Sequence, residues 1–142
     1  MRALLDVNVL IALLDADHVL HTRATEWLSA NARQGWASCP ITQNGCARIM
    51  SSPGYPNPQP ASAVIRRLAV ATHGPLHEFW PDDISLLDPA IADPERILGP
   101  RQLADLYLLG LAVHRRGRLV TFDTTIAING IRGATGRHLL TL

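Results

Sequence analysis

The chain has 142 residues, a formal net charge of +1 and 47% hydrophobic residues, which fits one globular domain and excludes a disordered or strongly polyelectrolyte chain. All thirteen basic residues are arginine, so any reaction that needs a catalytic lysine is excluded. No apolar run approaches the roughly eighteen residues of a membrane span, and the opening, with Asp6 interrupting its apolar run, is not a secretory signal, so a cytoplasmic protein without membrane contact is expected.

Ala3 to Leu5 and Val9 to Leu14 are apolar runs separated by Asp6-Val7-Asn8. This reads as a buried strand passing into a buried helix, with both polar side chains at the junction. In open α/β sheets that strand end faces the ligand crevice, where a carboxylate is costly unless something positive meets it. The alternative is that Asp6 or Asn8 only caps the helix.

Thr22 to Arg33 carries Ala24, Trp27, Leu28 and Ala32 at helical spacing, and Gly35 stops it. Trp36 to Cys39 is a short strand ended by Pro40; Thr42 caps a helix running through Ile49-Met50. Cys39 and Cys46 lack metal-ligand spacing and read as small buried residues. Four prolines make Pro53 to Pro60 a surface loop. Ala61 to Thr72 is an amphipathic helix with Arg66-Arg67 outward, and Leu76 to Trp80 a strand. Pro81-Asp82-Asp83 starts a short helix through Leu87, its acids in capping positions, and 88–99 is mixed with a helical turn near Ile91. Pro100 begins the last long helix, Arg101 to Arg115, apolar nearly all round and hence central. Arg118 to Phe122 is a strand leading to Asp123, and His138 to Thr141 a final edge strand. The six histidines read as surface residues. The alternation gives an α/β fold of three layers, a mostly parallel sheet flanked by helices, in a single domain over 1–142.

Asp6, Asp105 and Asp123 do not fit a packing role. With the first and fourth strands adjacent, Asp6 and Asp123 emerge at one sheet edge, and Asp105, early in the central helix, can point there too. Three converging carboxylates repel, and a hard divalent cation, Mg²⁺ or Mn²⁺, is the simplest remedy. The competing readings are a helix cap for Asp123 and an ion pair between Asp105 and Arg101, four residues earlier. Asp6-Val7-Asn8-Val9 is loosely similar to the haloacid dehalogenase-like phosphatase loop. Those enzymes, like response-regulator receivers, need a lysine that this chain lacks.

The chain resembles the PIN-domain ribonucleases, and among them the VapC-type toxins of bacterial toxin–antitoxin pairs. The resemblance rests on Leu4-Leu-Asp-Val-Asn-Val-Leu10, Ile41-Thr-Gln-Asn-Gly-Cys-Ala-Arg48, Phe79-Trp-Pro-Asp-Asp83, Ala104-Asp-Leu-Tyr-Leu108 and Leu119-Val-Thr-Phe-Asp123, in that order along nearly the whole sequence. It implies a PIN-like fold and Mg²⁺-dependent endonucleolytic cleavage of RNA by a metal-activated water; because a phosphate must then seat on a recessed metal, cuts are expected in exposed RNA loops. Asp6, Asp105 and Asp123 would be the metal ligands and catalytic acids. A VapB-type antitoxin and a second copy of the chain, in a homodimer, are the implied partners.

Asn8 and Thr121 are candidates to orient the ligand carboxylates. Many PIN domains carry a Glu where this chain has Gln43, which can orient water or phosphate but adds no charge and argues against a second tightly held metal. Arg48 and the Arg115-Arg116-Arg118 cluster are candidates to hold the RNA backbone, or are solvated helix ends that complement the helix dipole. A second reading is a catalytically weak PIN-like module that binds RNA or a partner without cutting.

Overall fold

The alternation of strands and helices closes into one parallel sheet. The computed structural model describes residues 1–142, with β1 (Ala3–Leu5), α1 (Val7–Leu14), α2 (His21–Asn31), β2 (Trp36–Ser38), α3 (Pro40–Met50), α4 (Ala61–Thr72), β3 (His77–Phe79), α5 (Leu103–His114), β4 (Arg118–Thr121) and β5 (Leu139–Thr141). The five strands lie in the order β3-β2-β1-β4-β5, every neighbouring pair parallel. The chain steps outward from β1 to β2 and β3, then returns to β4 on the other side of β1. That reversal opens a crevice between the carboxyl ends of β1 and β4. Leu5 pairs with Val120 there, so Asp6 and Asp123 leave the sheet at the same edge.

Alternation along β1 supplies both cores. Leu5 packs with Val9, Leu10, Cys46, Met50, Val64 and Leu68 on the face covered by α1, α3 and α4. Leu4 packs with Ala37, Trp80, Leu108, Leu109, Leu111 and Leu119 on the face covered by α5. Six of the twelve residues of α5 are buried, which is why its sequence shows no polar face over most of its length. Cys39 and Cys46 are both fully buried and free.

The structure corrects several local expectations. No helix forms over 82–87. Asp83 pairs instead with Arg115, the Ser85 hydroxyl accepts from the Leu87 amide at 3.1 Å, and Ile84 reaches the bare backbone of Gly110. Side-chain bonds to the backbone and a tertiary pair thus replace helical ones. α3 begins at Pro40 rather than after Thr42. Thr42 stands in its first turn, accepting from the Cys39 amide at 3.0 Å and closing the junction from inside. The 88–99 stretch holds a single-turn 3-10 helix at Pro94–Arg96. The helix expected to be apolar nearly all round is not buried at its start: Leu103 is 45% exposed. His138, expected at the surface, is buried, and its Nδ1 accepts from the Thr135 amide at 3.0 Å. No helix is long and apolar enough to cross a membrane.

Candidate active site

The end of β1 is tied to the end of β4 by side chains. Asp6 caps α1 with an extended backbone, and its Oδ1 accepts from the Val7 amide at 2.7 Å. Its Oδ2 accepts from the Thr121 hydroxyl at 2.6 Å. That hydroxyl in turn accepts from Asn8 Nδ2 at 3.2 Å and from the Asp123 amide at 3.0 Å, and Asn8 Oδ1 accepts from the Phe122 amide at 3.2 Å. Thr121 Oγ1 therefore spends its one proton and both lone pairs inside this mesh. Asp123 is followed by no helix; its Oδ1 takes both the amide and the hydroxyl of Thr125, at 2.7 and 2.6 Å. Asp105, in the first turn of α5, makes neither a side-chain hydrogen bond nor an ion pair. Asp105 and Asp123 open into a cleft of about 270 Å³ that Arg101, Gln102, Leu106, Thr125, Ile126 and Ala127 also line.

The electrostatics show that the three acids share one field. Burial is the largest cause pushing the Asp6 carboxyl up from its ordinary value; the bonds from Thr121 and Val7 pull it down, and Asp123 adds repulsion. Asp105 is pushed up to about 6, first by burial, then by repulsion from Asp6 and Asp123. A row of acids meeting hydroxyls and amides but no cation is the donor chemistry of a hard divalent ion. No three of these side chains stand close enough to form a closed ligand group unaided. Mg²⁺ does not require one, because it keeps several of its waters and takes only one or two carboxylates directly. This donor set is compatible with a hydrated Mg²⁺ or Mn²⁺, and Asp105 is the acid that has no other partner to give up.

Because so much converges on one hydroxyl, Thr121→Val should orphan Asn8 Nδ2 and the Asp123 amide and strip Asp6 of a donor. We expect a loss of about 2 kcal/mol in urea unfolding, within the usual range for unsatisfied buried groups. An unchanged midpoint would show that the mesh does not hold the two strand ends together.

Of the residues singled out from sequence, Asp6, Asp105 and Asp123 lie within electrostatic reach of one another, and Thr121 bonds a carboxylate directly. Asn8 acts at one remove, through Thr121 and Phe122. Gln43 bonds none of the three acids: its Nε2 donates to Ser38 Oγ at 2.9 Å, and Ser38 Oγ lies 2.8 Å from His77 Nε2. The arginines do not gather. Arg48 is exposed two turns along α3. Arg115 and Arg116 follow the far end of α5, about 15 Å along the helix from Asp105 at 1.5 Å per residue. Arg115 is held by Asp83 and Arg118 by Gln34. Sequence reading missed Thr125 and the position of Arg101 in the cleft. For Thr125 a signal existed, since a hydroxyl two residues after an Asp is suited to a local side-chain turn.

A family model for the PIN domain matches residues 3–130. The chain is 54% identical over 142 residues to Ribonuclease VapC44 of Mycobacterium tuberculosis, covering 100% of both chains. The solved structure of Mycobacterium tuberculosis VapC20, a sarcin-ricin loop cleaving toxin, superposes with a TM-score of 0.61 at 12% identity, covering 87% of this chain and 91% of that one. A VapBC2 complex from Rickettsia felis, bound to a DNA fragment from its promoter, gives a TM-score of 0.57 at 15% identity, covering 87% and 89%. At those identities the two structures speak for the fold, whereas the full-length likeness to VapC44 speaks for the branch. The chain belongs to the PIN-domain family and, within it, to the VapC ribonucleases.

Proposed function

We propose that the protein is an Mg²⁺-dependent endoribonuclease, the toxin of a VapBC pair. One observation carries the reading: three carboxylates share one electrostatic field at the β1/β4 crevice, none of them ion-paired, two of them opening into a cleft, in a chain of the VapC branch. Asp105 and Asp123 would hold the ion, with Asp6 beside them. Bound there, Mg²⁺ or Mn²⁺ supplies charge for a phosphate oxygen and acidity for a water. The chain's own contribution is orientation. Thr121 and Asn8 fix Asp6 against β4, Thr125 fixes Asp123, and the cleft wall formed by Leu106 and Ile126 limits water around the reacting phosphate.

The substrate reading follows from the recessed site. A phosphate has to leave regular helical geometry to sit between the β1 and β4 ends, so cuts are expected in exposed RNA loops and not in paired stems. The partner reading is an antitoxin segment that lays an apolar helix between helices of this chain and sends a basic side chain to Asp6 and Asp105. A second copy of the chain is the other expected partner. One assay tests these points: cleavage of a stem–loop RNA with Mg²⁺, its 5′ ends mapped, with and without an antitoxin peptide. Loop cuts suppressed by the peptide are expected. Efficient cutting of a perfect duplex with loops spared, or tight peptide binding that leaves cleavage unchanged, would contradict the respective reading. The Gln43–Ser38 bond favours one alternative, a weakly catalytic binding module, because Gln43 adds no fourth acid. That module would bind the same RNA and leave it intact.

A further inference from the structure

We propose that Arg101 is the cation that seats an RNA phosphate in the cleft beside Asp105 and Asp123, and so is the substrate-positioning residue of this site. The inference rests on the ribonuclease reading above. Of thirteen arginines in the chain, only Arg101 lines that cleft. It lies in the single 3-10 turn Pro100–Gln102 that leads into α5, one turn before Asp105, and it is exposed.

A lone arginine one helical turn from an aspartate would ordinarily pair with it. Here it does not: Arg101 makes no ion pair and no side-chain hydrogen bond. The guanidinium thus stays free at the mouth of an acidic cleft. A polyanion approaching three carboxylates meets repulsion, and a cation on the same wall is what makes that approach favourable. Arginine suits the task, because its planar fork can bind two oxygens of one phosphate and its charge does not titrate. The arginines at the far end of α5 cannot serve in this place.

The test compares the parent with Arg101→Gln and Arg101→Lys. Binding of a labelled mixed-sequence RNA 12-mer is followed by fluorescence anisotropy across a salt series. Single-turnover cleavage of a stem–loop RNA and Mn²⁺ binding by electron paramagnetic resonance are measured in parallel. Arg101→Gln should weaken RNA binding about tenfold, the loss expected for one charge-assisted phosphate contact. It should also reduce the slope of log affinity against log salt by about 0.7, one phosphate's share for single strands. Half-saturation for cleavage should rise more than the maximal rate falls, and Mn²⁺ affinity should stay within about twofold of the parent, since no pairing with Asp105 is lost. Arg101→Lys should keep the parent's salt slope while losing part of the affinity.

Parent-like RNA affinity and salt slope in Arg101→Gln would overturn the proposal. Tighter Mn²⁺ binding with unchanged RNA binding would do the same, by making Arg101 a counter-ion of Asp105. A parent that binds RNA with an Arg101-dependent slope yet never cuts it would support the phosphate contact and count against the ribonuclease reading. The two can therefore fail separately.

Discussion

Asp105→Asn should abolish RNA cleavage while leaving the metal-free protein at least as stable as the parent near neutral pH. Asn keeps the shape of the side chain and removes the one carboxylate of the three that has no protein partner. Loss of the ion's hold on phosphate and water should lower the single-turnover rate by about three orders of magnitude or more, from the several kcal/mol such an ion supplies. The repulsion that Asp6 and Asp123 exert on Asp105 disappears with the charge, so the fold has nothing to lose. A cation that binds only the folded state stabilises it by about 2.7 kcal/mol at a hundredfold its dissociation constant. The parent should show such a rise in melting temperature with Mg²⁺, and Asp105→Asn should lose most of it. An Asn variant that cuts RNA within a few-fold of the parent would mean that Asp105 is not part of the chemistry.

The second large effect is a reversal of pH dependence on adding metal. Asp105 titrates at about 6 in the folded chain against 3.8 as the ordinary value, and Asp6 is shifted in the same direction. Between those values the folded state holds more protons than the unfolded one, so stability falls as pH rises through the window. The penalty is absent below about pH 4 and complete above about pH 6. For the half-buried Asp105 we expect on the order of 1–2 kcal/mol, after discounting the full shift for solvent screening. On the proposed function, Mg²⁺ would bind the ionised carboxylate, lower its folded pKa and remove the decline. Urea midpoints in EDTA should therefore drop from pH 5 to pH 7 in the parent and drop less in Asp105→Asn, and with Mg²⁺ the parent's drop should disappear. Equal pH slopes in parent and variant, with no change on adding Mg²⁺, would contradict the shared field of the three acids.

Much of this was legible in the sequence because the parallel sheet is simple to read. Leu4-Leu5-Asp6 and Val120-Thr121-Phe122-Asp123 announce buried strands ending in a carboxylate, and the all-apolar α5 announces a central helix. Their convergence needed only β1 beside β4, which the register confirms. What was not legible depends on contacts between distant segments. The 82–87 stretch has helix-start residues, yet Asp83 is claimed by Arg115, 32 residues later. Gln43 reads as a site residue, yet its amide is spent on Ser38, which is bonded in turn to His77. The arginines near 115–118 form a basic run in sequence, but the length of α5 carries them to the far end of the sheet. Arg101 showed the converse. Its neighbour four residues on invited an ion pair, and only the cleft shows the guanidinium facing open space.

The most direct test of the central claim is the cleavage rate of one stem–loop RNA by metal-stripped protein, measured before and after Mg²⁺ is restored. No cleavage is expected from the stripped protein, and full recovery is expected in the parent on adding Mg²⁺ or Mn²⁺, with no recovery in Asp6→Asn, Asp105→Asn or Asp123→Asn. Undiminished cleavage in excess EDTA, by the parent and by all three Asn variants, would contradict the assignment of the carboxylates to a metal-dependent centre.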